Sequence, residues 1–239
     1  MARGQLTYLN LVNRVLQRLG KPQVVTADFA GLASDSWGGL TKDAINDAQQ
    51  DLYAEHDWST LITSGTFTTS SRTYDLTTSF SNFGREIDLM DTTNNKPIVP
   101  VDQKDIDYED PGQLNSGDPD RYAINYPDLL FNRTPTSVAY RLRYLIRPTA
   151  LTTSTTTSLL PEQCDRVLIL WVVWDFLTTR EDDPKMGAMA GSKYRQALAQ
   201  AKQQDVRRMD RYYAPRSAFP ERQRAIVPFP AAYDREGNW

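Results

Sequence analysis

Leu159-Leu-Pro-Glu-Gln-Cys-Asp-Arg-Val-Leu-Ile-Leu-Trp-Val-Val-Trp-Asp-Phe-Leu-Thr-Thr-Arg180 is the stretch around which the chain is organised. Pro161 suits the first position of a helix, and Glu162 puts a carboxylate near the positive end of the helix dipole. From Val167 to Trp174 every residue is apolar. A helix lying on a surface would show polar residues every third or fourth position. This one is apolar all round and reads as buried on most sides. The run is too short for a bilayer, which needs about 20 apolar residues, so it reads as the central helix of a soluble core or of a subunit contact. Trp171 and Trp174, mid-helix among aliphatics, are expected to be largely buried.

The composition narrows the possibilities. A chain of 239 residues can bury a sizeable core. A formal net charge of −3 and a pI near 5.3 argue against a protein built mainly to grip nucleic acid. One cysteine excludes an intrachain disulfide, and Cys164, among apolar neighbours, reads as a small core residue. The amino-terminal Met-Ala-Arg-Gly-Gln leads into no apolar signal region, so the expectation is a soluble, intracellular or particle-associated protein with no membrane partner.

Working outward, a first helix is predicted over Gln5–Leu19, with Leu9, Val12, Leu16 and Leu19 on one face and Gly20-Lys21-Pro22 as the stop. A second runs from about Thr41 to His56, lined by Ala44, Ala48 and Leu52, with Trp58 anchoring its exit. From Thr60 to about Thr157 the apolar residues come in short runs between Thr, Ser, Asn and Pro. Thr63–Thr69 and Arg72–Leu76 read as strands joined through Ser70-Ser71. Further short strands fall at Arg85–Met90, Pro97–Val101, Tyr122–Asn125 and Leu129–Asn132. The clearest is Val138–Arg147, where Val138, Tyr140, Leu142, Tyr144 and Ile146 share one face and Arg141, Arg143 and Arg147 the other. After the central helix, Asp183-Pro184 is a cap followed by a first helical position, and the last helix runs to about Tyr213 with Met186, Ala190, Tyr194, Ala197 and Ala201 on its packing face. Its far end is polar on nearly every side. Arg207, Arg208 and Arg211 there read as a subunit contact or a solvated helix end.

Ala214–Trp239 carries Pro215, Pro220, Pro228 and Pro230 and cannot be a regular helix. It is nevertheless punctuated by Phe219, Phe229, Tyr233 and Trp239, with Arg222 and Arg224 between them. Such a segment cannot build a core alone and reads as an arm that docks on a partner or a neighbouring subunit. The fold class is therefore α+β: a four-helix bundle formed by the N- and C-terminal helix pairs (residues 1–59 and 158–213), an inserted small antiparallel β lobe, sandwich or barrel (60–157), and an extended C-terminal arm (214–239).

Chemistry-bearing patterns are sparse. His56 sits beside Asp57, but adjacent residues on a helix do not face each other. No phosphate loop, dinucleotide fingerprint or zinc-binding His-Glu-x-x-His occurs. Asp102, Asp105, Asp107, Glu109 and Asp110 cluster before Pro111-Gly112. Their spacing is not that of an EF-hand, and the cluster reads as a solvated acidic loop. No catalytic residue, cofactor or metal is assigned.

The order of these pieces carries a resemblance. Ala44-Ile45-Asn46-Asp47-Ala48 leads to Trp58-Ser59-Thr60-Leu61. Then come Gly117-Asp118-Pro119-Asp120-Arg121-Tyr122, Pro127-Asp128, Arg141-Leu142-Arg143-Tyr144, Pro148, and Leu160-Pro161 opening the apolar helix. Over roughly Leu6 to Tyr213 the chain resembles the head-to-tail adaptor (connector) proteins of tailed bacteriophages, especially those with short tails. The resemblance implies a virion protein, assembled in the host cytoplasm, that forms a homo-oligomeric ring of about twelve copies. It implies the portal protein and a tail nozzle or next tail component as partners, with the carboxyl-terminal arm running onto the portal. Twelve copies would carry about −36, so genomic DNA is expected to pass without specific binding. Two other functions stay open at this point: a nucleic-acid-binding module using the last helix, and a cell-wall hydrolase of the tail, an activity reported for some relatives.

Overall fold

The computed structural model describes residues 5–181 and 183–212, with side chains described through residue 206. Helix α1 (Tyr8–Arg18) starts where the Thr7 hydroxyl accepts the Asn10 N–H at 3.4 Å, and it buries Tyr8, Leu11, Val12, Val15 and Leu16. Helix α2 (Trp37–Glu55) begins before the expected Thr41, because Ser36 caps it by accepting the Gly39 N–H at 3.1 Å. Gly38-Gly39 looks like loop sequence, yet Gly39 is there for space: a Cβ would stand 2.1 Å from the Ala33 carbonyl oxygen. Ala44, Ile45, Ala48 and Leu52 face the core. Trp58 is fully buried, and its indole N–H donates to the Leu52 carbonyl at 2.7 Å.

Helix α4 spans Cys164–Thr179, starting three residues after Pro161. The run before it is pinned by the Gln5 side-chain amide, which donates to the Leu160 carbonyl at 2.8 Å and also to that of Ser158. Val167, Leu168, Val172, Val173 and Phe176 are buried, and each such side chain contributes about 1.5–3 kcal/mol by leaving water. Trp171 and Trp174 pack against the core with part of each ring left exposed. Trp174 lies at the contact with α5 (Pro184–Tyr212), its ring stacked on Tyr194 at 5.6 Å. Asp183 caps α5, accepting the Met186 N–H at 3.0 Å. Met186 itself is exposed; the packing face is Ala190, Gly191, Tyr194, Ala197 and Ala201. Among the described residues no helix is long and apolar enough to cross a membrane.

Between α2 and α4 lie β1 (Ile62–Thr69), β2 (Thr73–Asp75), β3 (Phe83–Asp91), β4 (Lys96–Pro100), a short helix α3 (Gln103–Glu109), β5 (Arg121–Asn125), β6 (Asp128–Phe131) and β7 (Val138–Ile146). All seven strands form one sheet in the order β1-β7-β3-β4-β5-β6-β2. β1 and β2, joined through Ser70-Ser71, do not pair with each other. They are the two edges of the sheet, bonded to β7 and β6 respectively. The short link between them brings the edges together, so the sheet curls as a half-barrel with Phe67 stacked on Tyr74 at 4.2 Å. β4 and β5 run parallel because α3 and the loop after it return the chain in its original direction.

The architecture corrects the sequence reading. The described residues hold five helices, not four. The β segment is a single seven-strand mixed sheet, not a small antiparallel lobe. The acidic cluster read as a loop is α3, held by Ile106 pointing into the core. One buried cluster gathers α1, α2, α4 and α5. A second, centred on Phe67, Leu89, Tyr122, Phe131, Tyr140 and Leu142, fills the concave side of the sheet. Leu145 belongs to the first cluster although β7 otherwise feeds the second, because alternation along the strand turns it to the opposite face.

Candidate functional site

Asp205 on α5 is fully buried and lies where the helical core meets the start of the sheet. It accepts the Ser59 N–H at 2.9 Å and the Ser59 hydroxyl at 2.5 Å. His56 Nε2 stands 3.3 Å from the same carboxylate, outside hydrogen-bond geometry. The three residue types are those of a hydrolytic triad, but the order is wrong for one. Nucleophile activation places the imidazole between the hydroxyl and the carboxylate. Here the serine hydroxyl donates directly to the carboxylate, which makes the cluster a clasp between α5 and the turn at Ser59–Leu61. The partner of His56 is Asp205, far away in sequence, not the adjacent Asp57, which pairs with Arg85. Cys164 is fully buried, and burial pushes its thiol up, away from the reactive thiolate.

The acidic segment has two layers. Asp110 is buried and accepts the N–H groups of Asn115 at 3.0 Å and Leu114 at 3.1 Å, and Arg72 Nη1 at 2.5 Å. The Asn115 N–H and the Arg72 guanidinium hold its carboxyl below the ordinary carboxylate range. Glu109 is paired to Arg121 at 3.0 Å. Among the described residues no group of three or more His, Cys, Asp or Glu side chains could hold a metal ion. The outer layer faces water: Asp105 and Asp107 are exposed, and Tyr108 and Leu114, 84% and 87% exposed, project beside them. α3 is thus a rigidly seated tip that presents carboxylates and two large apolar side chains.

On the helical part, α1 and the start of α4 flank a solvent-open cleft of about 240 Å³ lined by Leu6, Arg14, Arg18, Glu162, Asp165, Arg166 and Ile169. None of the three guanidiniums has a hydrogen-bond or ion-pair partner among the described residues. Burial, with Arg166 and Arg14 nearby, pulls Arg18 down from its ordinary range. Asp165 is 5% exposed; one of its oxygens accepts the Leu6 N–H at 2.7 Å and the other, Oδ1, has no partner. Burial pushes its carboxyl up to about 6. Sequence reading passed over this cleft. The available signal was Arg14 and Arg18 one turn apart on α1, at the edge of an otherwise apolar face.

Arg207, Arg208 and Arg211, and the arm residues Phe219, Arg222, Arg224, Phe229, Tyr233 and Trp239, are outside the residues whose side chains the structure describes.

The model of a protein family described as SU10 adaptor protein matches residues 6–218, which include the whole described fold apart from Gln5. No curated protein matches the chain.

Proposed function

Because the chain belongs to the SU10 adaptor protein family, and is thus a structural head-to-tail adaptor of a phage particle, we propose that it forms a homo-oligomeric ring beneath the portal. The ring extends the DNA channel and carries the tail nozzle or next tail component. In this reading residues 1–59 and 158–213 make the helical unit, 60–157 the β unit, and 214–239 an arm that docks on the portal. DNA passes through without specific contacts, in keeping with the net charge of −3 per copy.

The family match over residues 6–218 carries the reading. The geometry is compatible with it, since the hydroxyl of Ser59 is committed to Asp205 and Cys164 is sealed in the core. The test is loss of the chain from infected cells: packaged heads should accumulate without tails, and adding back the full-length protein should restore infectivity. Normal tailed particles made without it would refute the reading. Adding back a chain lacking Phe219–Trp239 should fail to attach to portal-bearing capsids, whereas normal attachment would exclude the docking arm.

A further inference from the structure

We propose that the arginine cleft of one copy receives the α3 tip of a second copy, Asp105 and Asp107 pairing with Arg14, Arg18 and Arg166. The proposal rests on the ring reading and assigns it a contact.

The cleft asks for a mixed partner. Three exposed guanidiniums face one space, none in hydrogen-bond or ion-pair contact with a described residue and only Arg14 acting on Asp165 at longer range, which favours a ligand with more than one negative group. The same space holds a carboxylate, Asp165, whose Oδ1 is buried and without a donor, and Glu162 lines it as well. A nucleic-acid backbone would bring phosphates to the arginines and repulsion to these two acids. A peptide surface can present carboxylates together with donors. Leu6 and Ile169 add apolar lining.

The α3 tip has the matching set. Asp105 and Asp107 are exposed and form no ion pair with a described residue, Lys104 beside them offers an ammonium for Glu162 or Asp165, and Tyr108 and Leu114 provide apolar area for Leu6 and Ile169. The tip is held in place by Ile106 in the core and by the buried Arg72–Asp110 pair, so little conformational freedom is lost on docking. Cleft and tip are different surfaces of one chain. A contact between them is head-to-tail, the kind that closes into rings.

Charge reversal tests this on the full-length protein by sedimentation velocity, with thermal unfolding as a check of the fold. Arg14→Glu/Arg18→Glu and Asp105→Lys/Asp107→Lys should each weaken self-association at least about tenfold. The second pair of substitutions lies on an exposed surface and leaves the fold intact even if the first does not. An equimolar mixture of the two variants should regain association, since each reversed cleft then meets a reversed tip. Reversals without effect, or a mixture that fails to recover, would overturn the contact and leave the ring reading standing. A wild-type chain that never self-associates, alone or on portal-bearing capsids, would remove the ring reading and this contact together.

Discussion

Asp205, on the last helix, accepts both the backbone N–H and the hydroxyl of Ser59, at 2.9 and 2.5 Å, and so ties α5 to the residue at which the chain leaves the helices for the sheet. Because Asp205 is fully buried, removing it takes the acceptor from two donors of the half-buried Ser59.

Asp205→Ala should therefore destabilise the protein by about 1.5–3 kcal/mol, the range for hydrogen bonds to a charged group. Asp205→Asn, which keeps one acceptor oxygen, should cost less. Urea unfolding of both variants checks the order; a loss under about 0.5 kcal/mol for Asp205→Ala would mean that the clasp contributes nothing.

Asp165 sets a pH dependence of opposite sign to that of the usual carboxylate. Its folded-state pKa of about 6 lies above the ordinary 3.8, so the folded protein retains a proton that the unfolded chain releases. Stability then falls as pH rises from about 4 to about 6 and levels off above that, by up to about 3 kcal/mol for a shift of about two units. Asp110, held low, acts in the reverse direction and only below the ordinary carboxylate range. Comparing wild type with Asp165→Asn isolates Asp165. The variant should be the more stable at pH near 8 and the difference should vanish near pH 4. Parallel stability curves across that window would contradict the assignment.

Cys164 should resist thiol reagents in the native protein and react once the chain is unfolded, since it is fully buried at the start of α4 and its thiol is pushed up by burial. Rapid native labelling would show that the start of α4 opens.

Gly39 and Gly31 make a contrasting pair. An alanine Cβ at Gly39 would meet the Ala33 carbonyl oxygen at 2.1 Å, while at Gly31 nothing lies within 4 Å. Gly39→Ala should cost about 3 kcal/mol through forced displacement of backbone. Gly31→Ala should stay within about 0.5 kcal/mol of wild type. Thermal unfolding of the two variants settles it.

The local elements were largely legible because they follow from periodicity. The helices α1, α2, α4 and α5 and the strand β7 lie close to where spacing predicted them, and the Asp183-Pro184 start of α5 was read correctly. What could not be read was long-range pairing. Nothing in Thr63–Thr69 or Arg72–Leu76 says that their partners are β7 and β6, because the contacts that reward those pairings, such as Phe67 opposite Tyr140, join residues far apart in sequence. α3 was missed because a seven-residue acidic helix with one core residue, Ile106, has no repeating apolar face. The bundle-plus-lobe picture failed for the same reason: it counted elements and could not count their pairings. The arginine cleft was invisible as a unit, since Arg166 joins Arg14 and Arg18 only through the packing of α4 on α1.

The central claim, a ring adaptor at the head–tail junction, is tested most directly by cryo-electron microscopy of the intact particle at that vertex. The account predicts a closed ring of this chain against the lower face of the portal, surrounding the DNA channel, with Phe219–Trp239 lying on the portal and the α3 tip of each copy in the Arg14–Arg18 cleft of the next. A junction in which the chain is absent, or is present without forming a ring, would contradict it.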